Sequence, residues 1–198
     1  GKPLKSINHY YNKGKAKWQA VSMKQGLKYT KRLARIDVKR NNRVKDYMRK
    51  TARSIINLCM EQKIGILVVG YNKDFKRSIN LGKKTNQQFT QIPFGLLREY
   101  LYNLCEQYGI EYVEQEESYT SKASFFDQDE LPTWKPEKEA YAFSGKRICR
   151  GLYQTGKGFI VNADVNGALN ILRKSNLIDM TILQGKGCLA HPQRVRIV

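Results

Sequence analysis

Ile64-Gly65-Ile66-Leu67-Val68-Val69 is a continuous apolar and β-branched run, closed by Gly70-Tyr71-Asn72. A strand buried in a sheet reads this way, whereas a half-solvated strand alternates apolar with polar. Just upstream, residues 40–62 follow a different period. Val44, Tyr47, Met48, Ile55, Leu58 and Cys59 fall on one side, with Arg43, Lys45, Arg49, Lys50 and Arg53 largely elsewhere. That is the 3.6-residue pattern of an amphipathic helix.

Further outward, residues 13–36 read as a helix interrupted by Gly26, with Trp18, Val21, Leu27, Leu33 and Ile36 among its apolar positions. Residues 3–7 read as a short strand. Residues 70–90 are polar and loop-like. Pro93 stands near the start of a third helix, where its missing N–H costs little. Leu97, Leu101, Leu104, Cys105 and Tyr108 supply that helix's apolar stripe, and Gly109 ends it. Residues 110–115 alternate as a second strand. Residues 118–145 are irregular, acidic and aromatic, and 146–161 suggest a hairpin around Thr155-Gly156-Lys157-Gly158. Asn162-Ala163-Asp164 then opens a helix to Lys174, and 195–198 carry a last strand signal. Helices interleaved with strands in this order predict an α/β fold.

The 198 residues carry 36 Lys plus Arg against 17 Asp plus Glu, a formal charge of +19, and 41% of them are hydrophobic. That apolar share supports a core despite the charge. No apolar run reaches the ~18 residues of a membrane span, and no signal peptide is evident. The start at Gly1 suggests a piece of a longer reading frame or a processed product. Residues 1–57 hold 17 Lys/Arg against only Asp37 and Asp46, whereas 106–142 hold ten acidic residues against Lys122, Lys135 and Lys138. Such segregation points to a polyanion-binding face more than to general solubility. Cys59, Cys105, Cys149 and Cys188 are far apart, and the histidines are His9 and His191. No zinc site and no disulfide framework is expected from that spacing, and a reducing, cytoplasmic compartment is.

Two groups of residues could carry chemistry. Asp164 at the helix start, with Glu114, Glu116 and Glu117 at the end of the second strand, could hold Mg²⁺ or Mn²⁺ for attack on a phosphodiester. Alternatively, Asp164 is an N-cap and the glutamates are a solvated strand end. For backbone phosphates the candidates are Arg35, Lys39, Arg40, Arg43, Lys45, Arg49, Lys50 and Arg53. Tyr71-Asn72-Lys73-Asp74-Phe75-Lys76-Arg77 alternates aromatic and cationic groups, which suits stacking on bases but equally an ordinary loop. No Walker loop, no G-x-G-x-x-G and no Ser/His or Cys/His nucleophile pairing can be found.

Five segments are more specific: Asn80-Leu81-Gly82-Lys83-Lys84-Thr85-Asn86-Gln87, Gln91-Ile92-Pro93-Phe94, Glu117-Ser118-Tyr119-Thr120-Ser121-Lys122, Gly145-Lys146-Arg147 through Arg150-Gly151-Leu152-Tyr153, and Asn162-Ala163-Asp164-Val165-Asn166-Gly167-Ala168-Leu169-Asn170-Ile171-Leu172. In these the chain resembles the OrfB/TnpB transposase family of insertion sequences, RNA-guided RuvC-like nucleases related to type V CRISPR effectors. The resemblance implies a RuvC/RNase-H-like mixed sheet with flanking helices, incomplete at the N-terminus, and an insertion before the last helix. Residues 1–117 would then be the partial core, including the basic helices of 13–62. Residues 118–160 would stand where many members carry a zinc ribbon, and 161–198 would hold the last core helix and tail.

The same resemblance makes Asp164 the third of three metal-binding carboxylates. The second usually follows the Ile/Val strand, where this chain has Gly70; by resemblance it moves to Glu117, with Glu116 as the alternate. The first lies on a strand upstream of Gly1. Lys76, Arg77, Lys83, Lys84, Lys122, Arg147 and Arg150, in or beside these motifs, join the expected nucleic-acid contacts. Mg²⁺ or Mn²⁺ is the implied cofactor, without zinc. DNA and a guide RNA are the implied partners, with no membrane, and another chain could supply the missing strands. Aromatic packing of Phe125, Phe126, Trp134, Tyr141 and Phe143 would replace the ribbon's metal. The activity implied for the intact parent is a metal-dependent DNA endonuclease, this chain alone being inactive. The rivals are a nuclease-dead nucleic-acid-binding module and a degenerate transposase fragment.

Overall fold

The computed structural model describes residues 2–72, 91–134 and 141–179, with positions 192, 195 and 197. The described residues divide into two compact units: 2–65 with 91–110, and 66–72 with 111–179. This division differs from the three segments expected from sequence, because both expected core strands fall in the second unit.

The first unit is helical. α1 spans Lys2–Lys24 and α2 spans Lys31–Glu61. The strand expected at 3–7 is instead the first turn and a half of α1. Pro3 suits a helix start, and Leu4 and Ile7 have the i, i+3 spacing that puts both on one face. Leu4 packs with Val44 and Met48 of α2, and Ile7 lies against that cluster. Gly26, at φ +69°, separates two helices and does not merely interrupt one. Thr30 caps α2, its Oγ1 accepting from the Leu33 N–H at 3.4 Å. Leu33, Val44, Met48, Ala52, Ile56 and Cys59 form the buried stripe of α2, while Leu58, expected on that side, is exposed. α3, Phe94–Tyr108, ends at Gly109 in the left-handed region (φ 67°) and buries Leu101 and Cys105. Cys59 and Cys105 are buried free thiols, and burial raises both.

The second unit holds β1 (Ile66–Tyr71), β2 (Glu111–Glu116), β3 (Lys146–Cys149), β4 (Leu152–Gln154), β5 (Ile160–Asn162) and α4 (Ala163–Lys174). β1 and β2 pair in parallel, from Ile66 opposite Glu111 to Tyr71 opposite Glu116. β3, β4 and β5 form an antiparallel meander. The expected hairpin is its β4–β5 half, and a second turn at Arg150-Gly151 adds β3. The fold is mixed α/β. Its described strands form two small sheets where one mixed sheet was expected. α4 packs on β1 and β2 and also meets β4 and β5. Of the tail signal at 195–198, positions 196 and 198 lie outside the described residues.

Candidate catalytic and nucleic-acid-binding sites

The parallel register carries β2 to Glu116 opposite Tyr71, and the Glu117 N–H donates to the Tyr71 carbonyl at 3.3 Å. Two adjacent glutamates thereby enter different surroundings. Glu116 pairs with Lys174 at the end of α4, and its Oε1 accepts from the Ser118 N–H at 2.7 Å. Lys174 also donates to the carbonyls of Ser118 (3.3 Å) and Pro132 (3.1 Å). Burial raises the Glu116 carboxyl, but Lys174 and Ser118 outweigh it and hold the group below its ordinary value.

Glu117 has no such partner among the described residues. Burial pushes its carboxyl up, and the Glu116 charge adds to the rise. Its side chain fills a particular space. A Cβ placed on Gly70 would lie 2.7 Å from Glu117 Oε2 and 2.7 Å from Ile171 Cδ1. The Glu117 carboxylate thus occupies the position that a side chain at residue 70 would take at the end of β1.

Asp164 lies in the first turn of α4, but the cap is Asn162. Asn162 Oδ1 accepts from the N–H groups of Asp164 (2.9 Å) and Val165 (3.1 Å). The N-cap alternative for Asp164 is therefore wrong: the orphan donors are met two residues earlier. The Asp164 side chain is 89% exposed, and Arg147 Nη2 stands 3.7 Å from its Oδ1. Asp164 and Ile171 are seven residues apart on one helix, so their Cα atoms lie roughly 10 Å apart along its axis. Ile171 is the residue beside Glu117. No group of three or more His, Cys, Asp or Glu able to hold a metal occurs among the described residues.

The segment after Glu117 is clamped to α4 by two wholly buried asparagines. Asn166 accepts from the Phe125 N–H (3.0 Å) and donates to the Ala123 carbonyl (2.8 Å). Asn170 donates to the carbonyls of Thr120 (3.0 Å) and Ala123 (2.8 Å). Beyond them, Asp127 accepts from Ser124 Oγ (2.5 Å) and the Gly156 N–H (2.6 Å). Asp129 accepts from the Ser124 N–H (2.7 Å) and Ser144 Oγ (2.5 Å). Tyr153, fully buried and pushed up to about 12 by burial and then the Asp129 and Asp127 charges, donates to the Lys122 carbonyl at 2.8 Å.

Part of the expected aromatic packing is present. Phe125 meets Phe126 edge-on at 5.3 Å, and Tyr119 meets Tyr141 at 5.0 Å. Trp134 is 62% exposed and does not contribute. Sequence reasoning missed the polar half of this network. Its available signal was the Asn166/Asn170 pair at i, i+4 inside an apolar-periodic helix.

In the helical unit the basic residues divide in two. Arg40 donates to Asn8 Oδ1 (2.9 Å) and the Gln91 carbonyl (3.1 Å). Arg53 donates to the Tyr108 hydroxyl (2.7 Å), Arg49 stacks 5.6 Å from the Tyr100 ring, and Lys50 pairs with Asp46 (3.4 Å). These four are engaged within the unit. Arg35, Lys39 and Arg43, at i, i+4 and i+8, are exposed along an open groove of α2, and Lys45 is exposed as well. Lys122, Arg147 and Arg150 are exposed in the second unit, while Lys76, Arg77, Lys83 and Lys84 lie outside the described residues. No described helix is long and apolar enough to cross a membrane.

Residues 1–76 match the family model OrfB_IS605, described as a probable transposase, and residues 94–171 match the Cas12f1-like TNB domain. Together these matches support a TnpB/OrfB-like protein. Among solved structures it is similar to the one titled "Cryo-EM structure of the Cas12f1-sgRNA-target DNA complex", at 18% identity and a TM-score of 0.52. The match covers 86% of this chain and 42% of that one, so the chain spans less than half of that protein's length. At this identity the likeness is one of fold. The comparison with curated proteins gives no match.

Proposed function

We propose that the chain is the nucleic-acid-binding and carboxylate-bearing part of a RuvC-like, metal-dependent DNA endonuclease of the TnpB kind, working with a guide RNA. One observation carries the catalytic half. The Glu117 carboxylate is half-buried without a cation partner among the described residues and fills the space beside Gly70, where the resemblance puts the family's second ligand. Glu116, neutralised by Lys174, is the weaker alternate. The donor set suits a hard dication: Glu117 and Asp164 offer carboxylate oxygens and no soft ligand. When bound, Mg²⁺ or Mn²⁺ would supply Lewis-acid polarisation of the phosphodiester. Arg147 beside Asp164 would bind the scissile strand's backbone, and Arg35, Lys39 and Arg43 would track phosphates elsewhere along the nucleic acid. The Cas12f1 structure is a complex with a guide and target DNA by its title, which supports both partners.

The test is cleavage of labelled single- and double-stranded DNA with Mn²⁺ and guide RNA. Residues 1–198 alone should leave the DNA intact, because two carboxylates hold a pair of dications poorly. A form extended upstream through an aspartate-bearing strand should cut, and Asp164→Ala and Glu117→Ala should each abolish cutting. Robust cleavage by the 198-residue chain, lost in Asp164→Ala, would show that two ligands suffice. Cutting by the extended form that survives Glu117→Ala would remove Glu117 from the site. A binding-only role is favoured because the described residues bring together no group of three or more His, Cys, Asp or Glu able to hold a metal, and an extended form that binds without cutting would establish it.

A further inference from the structure

Between α1 and α2 lies a recess of about 220 Å³ whose lining includes Tyr10, Tyr11, Trp18, Arg32, Lys39 and Arg43. An apolar cavity of ~150 Å³ accepts a benzene ring, so this recess has room for one heterocycle. Its walls are flat and cationic. The Arg32 guanidinium stacks 3.3 Å from the Trp18 ring centroid, and Arg40 lies 5.5 Å from that of Tyr11. Arg40 is held in place by Asn8 and the Gln91 carbonyl, so these planar groups are oriented before any ligand arrives.

Carboxylates are sparse along these two helices, and Asp46, three residues past Arg43, pairs with Lys50. Asp37 is the single carboxylate in residues 1–45. Its oxygens already accept from Lys15 (2.9 Å), Tyr11 (2.8 Å) and Tyr29 (2.8 Å). Arg35, Lys39 and Arg43 continue the positive charge along the adjoining groove.

Aromatic and guanidinium planes stack on any base, because every base has a π-face, and nearby cations neutralise its phosphates. A duplex hides those faces. We infer that this recess is a stacking site for one unpaired nucleotide, the base against the Trp18–Arg32 wall and the flanking phosphates on Lys39 and Arg43. The inference deepens the binding half of the proposed function and rests on it. Its consequence is a preference for single strands over duplex of equal length.

Trp18 and Trp134 are the two tryptophans of the chain, so Trp134→Phe leaves Trp18 as the sole reporter. Saturable quenching of its emission is expected with single-stranded DNA or RNA of one sequence. Quenching by either supports the site, and the difference between them assigns the sugar. Trp18→Ala should weaken single-strand binding about tenfold, the scale of one lost stack, with duplex binding changed less than about twofold. Trp18→Phe should recover most of the loss, which covers the case in which the alanine variant folds poorly. Arg32→Lys, keeping charge but not the plane, should weaken single-strand binding alone. Equal losses on single strand and duplex would overturn the site and leave general charge attraction. So would binding that persists without quenching. If the unsubstituted chain binds neither form, the wider nucleic-acid reading fails with it.

Discussion

The two units hide different things. In the helical unit, Leu33, Met48, Ile56 and Cys105 are the largest wholly buried side chains; in the other unit they are Tyr153, Asn166, Asn170 and Ser124. Apolar burial is non-directional and leaves the opposite helix face free for any charge, which is how α2 carries Arg35, Lys39 and Arg43. A core that includes buried amides and hydroxyls works differently, because buried polar groups call for partners in set directions. That core fixes the backbone after Glu117, at Thr120, Ala123 and Phe125, where geometry rather than charge matters.

If the exposed stripe of α2 is a phosphate surface, its removal should be the largest effect seen in binding. Reversing Arg35, Lys39 and Arg43 together to Glu should flatten the salt dependence of duplex affinity by about 2.7 log units per log unit of salt, at about 0.9 for each phosphate no longer neutralised. Arg49→Ala with Arg53→Ala should flatten it less, because Tyr100 and Tyr108 already engage those guanidiniums. Equal slopes from the two sets, measured by anisotropy across a salt series, would break the division of the basic residues.

Core chemistry gives the next contrast. Met48→Leu conserves volume in an apolar core and should cost less than about 1.5 kcal/mol. Asn166→Leu is similar in size but strips the Phe125 N–H of its acceptor. A buried donor left unmet costs about 1–3 kcal/mol, with mispacking added. Thermal melts should therefore rank the asparagine change well above the methionine change. Similar melting temperatures would mean that water replaces the amide.

These contrasts also explain what could be read in advance. The strand within the run at 64–69, the glycine after Tyr108 and the helix from Ala163 were legible because each rests on a local rule of period or backbone conformation. The burial expected of that strand is not found: Ile64 and Ile66 are exposed and the rest of β1 is only partly buried. Pro3 to Ile7 was not: four or five residues carry too little periodicity, and packing against Val44 and Met48, some forty positions away, decides for helix. The bonding of the acidic segment was not legible for a related reason. Asp127 and Asp129 look solvated in sequence, yet Asp127 is bonded to Gly156 and Asp129 to Ser144, 29 and 15 residues away. No composition rule reports such a bond. Glu117 was suggested by resemblance, and the space beside Gly70 together with the Lys174 pairing of Glu116 distinguishes the two glutamates.

A smaller effect should appear with pH, and Asp37 and Lys15 carry the helical unit's share of it. Burial raises Asp37, but hydrogen bonds from Lys15, Tyr11 and Tyr29 outweigh it and hold the carboxyl below its ordinary 3.8. The folded value lies below the unfolded one, so the stabilisation is complete above about pH 4 and is lost as pH falls through the folded value. Lys15 shifts the other way: its hydrogen bonds to Tyr11 and Asp37 raise it above 10.5. Its contribution is full below that pH and disappears as pH rises through the folded value. Asp37→Asn should remove the helical unit's share of the acid limb, leaving that of the lowered Glu116. Hydrogen exchange resolved by unit would locate it, and an unchanged acid limb would assign acid unfolding to the other carboxylates.

The smallest effect separates the two roles first open to Asp164. An exposed ion pair contributes about 0–1 kcal/mol, and the Asp164–Arg147 pair, 3.7 Å apart with both side chains more than half exposed, belongs at the low end. Asp164→Ala should leave the melting temperature nearly unchanged. Asn162→Ala removes the oxygen that caps α4 and should cost about 1 kcal/mol. The asymmetry matters because α4 carries Asn166 and Asn170, so a frayed first turn loosens the clamp on the insertion. If Asp164→Ala abolishes cleavage in an extended form while stability holds, the loss belongs to chemistry and not to folding. If it lowers stability as much as Asn162→Ala does, Asp164 helps to start the helix after all, and its loss of activity says nothing about a metal.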